Sequence, residues 1–149
     1  LYQSVFFNEV HSINDGPPPE VNLLNEKNNG EAVLNLIEKQ LVSSAHDVSS
    51  GGLIVALAEM SIGSNFGIKI EKPKKLSNLF EYFFGEDQGR YLLEVEEINF
   101  EQVQYILKEN NIYNEIVGIV QKNYFELPEE FKININDLYS INNKWYYNY

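Results

Sequence analysis

The period of the hydrophobic pattern changes repeatedly along this chain, and each change marks a predicted element. LYQSVFFNEV, Leu1 to Val10, has strand character. HSINDGPPPEVN follows, a Pro and Gly cluster that predicts a loop leading into the first helix. Glu31 to Leu41 places Val33, Leu36, Ile37 and Leu41 on one helical face, while Asn28, Asn29 and Gly30 weaken any extension toward Leu23. Ser43 to Val48 reads as a strand, Ser49 to Gly52 as a turn, and Leu53 to Met60 is apolar at almost every position, which predicts an interior helix. Phe66, Ile68 and Ile70 then alternate with Gly67, Lys69 and Glu71, the pattern of a half-buried strand.

After Pro73 the spacing turns helical. Leu76, Leu79, Phe80, Phe83 and Phe84 make an aromatic-rich face, read as core packing, before Gly85 stops the helix. Arg90 to Glu97 predicts a strand with Tyr91, Leu93 and Val95 inward, and Asn99 is placed to cap a helix that buries Phe100, Val103, Ile106 and Leu107. EIVGIVQ, Glu115 to Gln121, is nearly continuous in apolar residues and predicts a central strand buried on both sides. Phe131, Ile133 and Ile135 suggest a last strand, and Asn136 or Asp137 a cap for a closing helix through Trp145, with Tyr146, Tyr147 and Tyr149 as a packed tail. No internal repeat is visible. Strands and helices intermix from Ser43 onward, so the predicted class is α+β, a mixed β-sheet covered by helices.

At 149 residues the expectation is a single domain, 1–149. It begins at Leu1 in strand-like text without an initiator Met, so a piece of a longer multidomain polypeptide is expected. The formal charge of -11 argues against a nucleic-acid partner, because a duplex repels an acidic surface. No apolar run approaches the roughly 20 residues of a membrane span, and no signal peptide is visible. With no cysteine, disulfides and thiolate metal sites drop out, and a cytoplasmic location is expected.

Candidate chemistry gathers in two places. SAHDVSSGGLIVALAEM, Ser44 to Met60, feeds a strand through paired glycines into a helix, leaving the first helical N–H groups uncovered, an arrangement that attracts phosphate. His46, Asp47, Ser49, Gly51 and Gly52 are its phosphate- or nucleotide-binding candidates. Neighbouring strand side chains point to opposite faces, so at most one of His46 and Asp47 faces a shared ligand. Asp47 is either an oxygen ligand for Mg²⁺ accompanying a phosphate or an acceptor for turn and cap N–H groups. FGEDQGRYLLEV supplies the second set, Glu86, Asp87, Gln88 and Arg90. The chain's only arginine either grips a carboxylate or phosphate in two places or pairs with Glu86 or Asp87 and holds the loop closed. His11, in the Pro-rich loop, is assigned no role.

SAHDVSSGGLIVALAEM followed about two dozen residues later by FGEDQGRY resembles the last domain of the phosphoribosylformylglycinamidine synthase family, synthetase subunit II, within the aminoimidazole ribonucleotide synthetase-like superfamily. The resemblance implies the C-terminal-domain fold of that superfamily and an ATP-dependent ligase. It would convert formylglycinamide ribonucleotide to formylglycinamidine ribonucleotide in purine biosynthesis, with ATP and Mg²⁺ serving the whole enzyme. The implied partners are the N-terminal domains of the same synthetase, a glutaminase subunit and a small accessory subunit. It places the chain in the second of two duplicated halves. There Asp47 and the Glu86, Asp87, Gln88 loop match positions that face an auxiliary nucleotide in larger relatives, so the domain alone is expected to be inactive. Asp87 departs from the family's serine, and its added carboxylate would repel phosphate unless Arg90 or a metal neutralises it. The alternatives are a structural and interaction domain without a ligand, or a domain of another superfamily member.

Overall fold

The computed structural model describes residues 2–73, 78–144 and 146. Leu76, Trp145, Tyr147 and Tyr149, which the sequence places in a helical face and a packed tail, lie outside the described residues. The elements are α1 (Leu23–Glu38), β1 (Ser44–Asp47), α2 (Gly52–Ser64), β2 (Gly67–Ile70), α3 (Leu79–Phe84), β3 (Tyr91–Glu94), α4 (Glu97–Glu109), β4 (Gly118–Gln121), β5 (Tyr124–Leu127), β6 (Phe131–Asn134) and α5 (Ile135–Asn143). The class is α+β, with a mixed four-stranded sheet in the order β4-β2-β5-β6 and an antiparallel pair β1-β3. The chain divides into two compact units, Leu1–Ala56 with Phe80–Glu115 and Leu57–Leu79 with Ile116–Tyr149.

In the first unit, α1 and α4 pack a core of Ala32, Leu36, Leu41, Val103, Ile106 and Leu107, joined by Val42, Leu93, Val95 and Ile112. The helix α1 starts eight residues before Glu31, because Asn22 caps it by accepting the Asn25 N–H at 3.0 Å. Its weak Asn-Asn-Gly stretch is held from outside, where the Asn29 amide donates to the Gly89 carbonyl at 2.9 Å. Ile37, predicted inward, is exposed, and Ala32 with Leu36 makes the buried pair. Phe6–Val10 is a π-helical turn instead of a strand. Its rings explain the difference, since Phe6 stacks on Phe84 at 4.2 Å and 24° and on Phe80 at 5.6 Å, which a flat strand would not offer as a block.

Two further expectations change in this unit. In β3 the buried residue is Leu92 and Tyr91 is exposed, with Leu93 and Val95 reaching the helical core from the other face. A strand buried in part on both faces loses the alternation that sequence reading relies on. Asn99 lies in the first turn of α4, whose N-cap is Glu96, without a side-chain cap bond.

In the second unit β2 pairs antiparallel with β4 and parallel with β5. The link Lys122–Asn123 therefore crosses the end of β2, and the Tyr124 backbone occupies the place where a Cβ on Gly67 would stand. β4 is an edge strand, with Ile119 and Val120 exposed, so the continuous apolar run does not mark a central strand here. The sequence pattern does not mark β5, because Tyr124–Leu127 interrupts its apolar residues with Glu126 and follows β4 after two residues. Asn134, not Asn136 or Asp137, caps α5 by accepting the Asn136 N–H at 2.9 Å, and Ile135 opens that helix, buried.

Candidate functional site

The antiparallel ladder of β1 and β3 brings the two candidate motifs together. Ser44 faces Glu94 and Asp47 faces Tyr91 across it, and the Val48 N–H extends it by donating to the Arg90 carbonyl at 2.9 Å. The Ser49–Gly52 turn then closes with the Gly52 N–H on the Ser49 carbonyl at 3.0 Å. Gly51 and Gly52 have φ of +83° and +73°, where a Cβ is strained. At Gly52 a Cβ would also meet the Phe83 and Gly85 carbonyl oxygens at 2.7 and 2.8 Å. The end of α3 is thus pressed against the turn, and only glycine admits that approach.

The Gly51 N–H has a protein partner. Glu86 Oε1 accepts it at 2.8 Å, and the same oxygen accepts the Val5 N–H at 2.8 Å. A carboxylate thus stands where the sequence offered an N–H to phosphate, and it supplies the negative charge that such a turn favours. Arg90 holds the loop that delivers it. Its Nη1 donates to the Gly85 carbonyl at 3.2 Å and to Asp87 Oδ2 at 3.4 Å, and its Nη2 donates to the Tyr82 carbonyl at 3.4 Å. The guanidinium answers carbonyls at the C-terminal end of α3, which carry partial negative charge. Asp87, whose added charge was a difficulty for phosphate, is paired with this arginine.

The other candidates are more open. His46 Nδ1 lies 2.6 Å from the Asp47 carbonyl oxygen, which only accepts, so Nδ1 carries the hydrogen. The Asp47 carboxylate is exposed and 3.9 Å from the same ring nitrogen. Ser49, Asp87 and Gln88 are exposed. Among the described residues no group of three potential ligands surrounds a metal position. Asp47 offers one carboxylate, so the donors present do not by themselves form a Mg²⁺ site. A concavity of about 800 Å³ runs along α4, lined by residues such as Phe100, Gln104, Tyr105, Lys108 and Tyr113, and none of the nine candidates lines it.

Sequence reading gave no sign of the partners that complete this region. Val5 lies 81 residues from Glu86, and Tyr82 bonds Glu115 from 33 residues away, with its hydroxyl donating to Oε1 at 2.7 Å. Burial first, then that hydrogen bond and the Glu115 charge, push the Tyr82 phenol well above its ordinary 10.0. Tyr113 donates to Glu115 Oε2 at 3.3 Å and is raised chiefly by the same charge. The two motifs and their spacing carried the resemblance, but not the pairing that brings them together nor the atoms through which they meet.

Residues 2–126 match the family model described as AIR synthase related protein, C-terminal domain. The phosphoribosylformylglycinamidine synthase subunit PurL of Pelagibacter ubique is 44% identical over 149 residues, 100% of this chain and 20% of that protein. The subunit of the same name from Rhizobium meliloti is 37% identical over 147 residues, 99% of this chain and 20% of its own. The chain therefore spans about a fifth of the length of these relatives. Among solved structures, PurLQS from Thermotoga maritima superposes with a TM-score of 0.67 at 19% identity, over 89% of this chain and 24% of that one. T. maritima PurL complexed with ATP gives 0.63 at 19% identity, over 76% and 21%. At these identities the likeness is one of fold.

Proposed function

The chain belongs to the AIR synthase related protein C-terminal domain family, and from that premise we propose that it serves as the C-terminal domain of a formylglycinamidine ribonucleotide-forming ligase. The observation that carries this reading is the 44% identity to a synthase subunit maintained over all 149 residues. In the proposed reaction ATP phosphorylates the amide oxygen of formylglycinamide ribonucleotide, releasing ADP. Ammonia then displaces phosphate to leave the amidine. ATP use is supported by the structure of T. maritima PurL complexed with ATP, and association with other subunits by that of PurLQS; the proposed partners are a glutaminase, a small accessory subunit and the N-terminal domains of the same synthetase. Mg²⁺ would neutralise phosphoryl charge in that enzyme, with the exposed Asp47 carboxylate as the contribution proposed for this chain. A cytoplasmic setting accords with this, and among the described residues no helix is long and apolar enough to cross a membrane.

Within that enzyme, the residues of this chain build and stiffen a scaffold. Glu86 and Arg90 use their charges on the protein's own backbone, which favours a structural role for the glycine turn over nucleotide binding. The test uses the full-length polypeptide. Ammonia-dependent formation of formylglycinamidine ribonucleotide is expected with the chain in place and lost when it is deleted; activity confined to a different phosphoryl acceptor overturns the assignment. Calorimetry with Mg²⁺-ADP separates the two roles of the turn. Equal heats for wild type and Asp47→Ala remove Asp47 from any nucleotide site, and a loss of binding restores it.

A further inference from the structure

The segment before the Pro-rich loop is tied to the glycine turn through a single atom. Glu86 Oε1 accepts the N–H groups of Val5 and Gly51, both at 2.8 Å, so neither can leave without changing the environment of the other's acceptor. The segment is held a second time by its rings. Phe6 stacks on Phe84 and Phe80, and His11 stands edge-on to Phe6 at 5.1 Å and to Phe7 at 5.8 Å. Both anchors reach the C-terminal end of α3, because Phe84 closes that helix and Glu86 follows it by two residues.

The segment itself is a π-helical turn, a rare conformation. It has no buried residue, and Ser4 just before it is buried at 2% exposure. A short exposed element, clamped at one end by a charged acceptor and along its length by aromatic stacking, has the makings of a latch.

We propose that Ser4–His11 is a strap whose docking on α3 fixes Glu86 against the Gly51 N–H, so that undocking the strap loosens the glycine turn at the head of α2. The strap bonds through the oxygen that accepts the turn's Gly51 N–H, and the turn's left-handed glycines give it an alternative set of conformations once that oxygen moves. Pull on the strap then acts on the turn through Glu86, and anything that seats the strap tightens it. This coupling is independent of the ligase reading, since it involves no substrate.

Hydrogen–deuterium exchange on the full-length polypeptide tests it, comparing peptides over residues 4–11, 49–53 and 32–38. Phe6→Ala removes the stacking while leaving Glu86 intact. Exchange is expected to rise together in 4–11 and 49–53, by about tenfold for loss of one charge-assisted bond, with 32–38 unchanged. Faster exchange in 4–11 with 49–53 at the wild-type rate overturns the strap. Should Phe6→Ala also loosen 32–38, Phe6→Leu, which keeps apolar bulk without the stack, is read against the same two outcomes. Glu86→Ala cuts the link itself. In that background the Phe6 substitution is expected to add nothing at 49–53, and a further rise there equally overturns the proposal.

Discussion

The two units satisfy their polar groups by different means. In the first, side chains bond backbone groups, Glu86 to Val5 and Gly51 and Asn29 to Gly89 across long stretches of sequence, and Arg90 to Tyr82 and Gly85 across its own loop. In the second, the strand ladders serve the backbone, and charged side chains mostly meet each other at the surface, as Lys72 does with Glu129 and Glu130 and Lys132 with Glu126. The difference teaches where a single substitution is felt. Removing a side chain from the first unit strands a backbone donor or acceptor, whereas removing one from the second takes away a solvent-screened pair.

That contrast is sharpest at Gly52. Gly52→Ala adds a Cβ to a left-handed residue and drives it into two backbone carbonyls, so a loss of about 3 kcal/mol is expected in the local stability of the first unit, read by hydrogen exchange. Next comes Glu86→Ala, which orphans two N–H groups and is expected to cost about 2 kcal/mol by the same measure. Glu86→Gln, which keeps an oxygen acceptor, is expected to recover part of it. A smaller effect belongs to Tyr82→Phe, about 1 kcal/mol near neutral pH.

The Tyr82 variant also carries a pH signature. Because the folded state holds the Tyr82 proton more tightly than the unfolded chain, its contribution is complete below the ordinary value of 10.0. It is lost as pH rises through the folded value. Alkaline unfolding above pH 10.0 is therefore expected to be less steep in Tyr82→Phe. The smallest effect is Lys72→Ala, for which no shift in thermal midpoint is expected despite its two carboxylate partners. A drop for Lys72→Ala as large as that for Glu86→Ala would break the comparison between the units.

Much of this was legible in the residues. The β1, glycine turn and α2 sequence reads correctly because each part is locally encoded: strand formers, then glycines that tolerate positive φ, then an apolar run. What failed was set by distant partners. Ile119 and Val120 resemble core residues, yet among the described residues β4 has a neighbour on one side only. Phe6 and Phe7 resemble strand residues, yet stacking on α3 winds them into a π turn. At the candidate site, both motifs could be read from the residues, while the role of Glu86 as the acceptor for Gly51 depended on a contact 35 residues away.

The two-residue link Lys122–Asn123 has a consequence in time. It joins β4 and β5 across the end of β2, so those two strands cannot find their places until β2 lies between them. About fifty residues separate β2 from β4, and closing a loop of that length costs entropy before any ladder bond repays it. The chain between them contributes Phe80–Glu115 to the first unit, so neither unit is a contiguous stretch that can be synthesised and completed before the other begins. The slow step of folding is expected at the insertion of β2. With only two residues to span the gap, a strand that arrives out of register has no slack in which to correct itself.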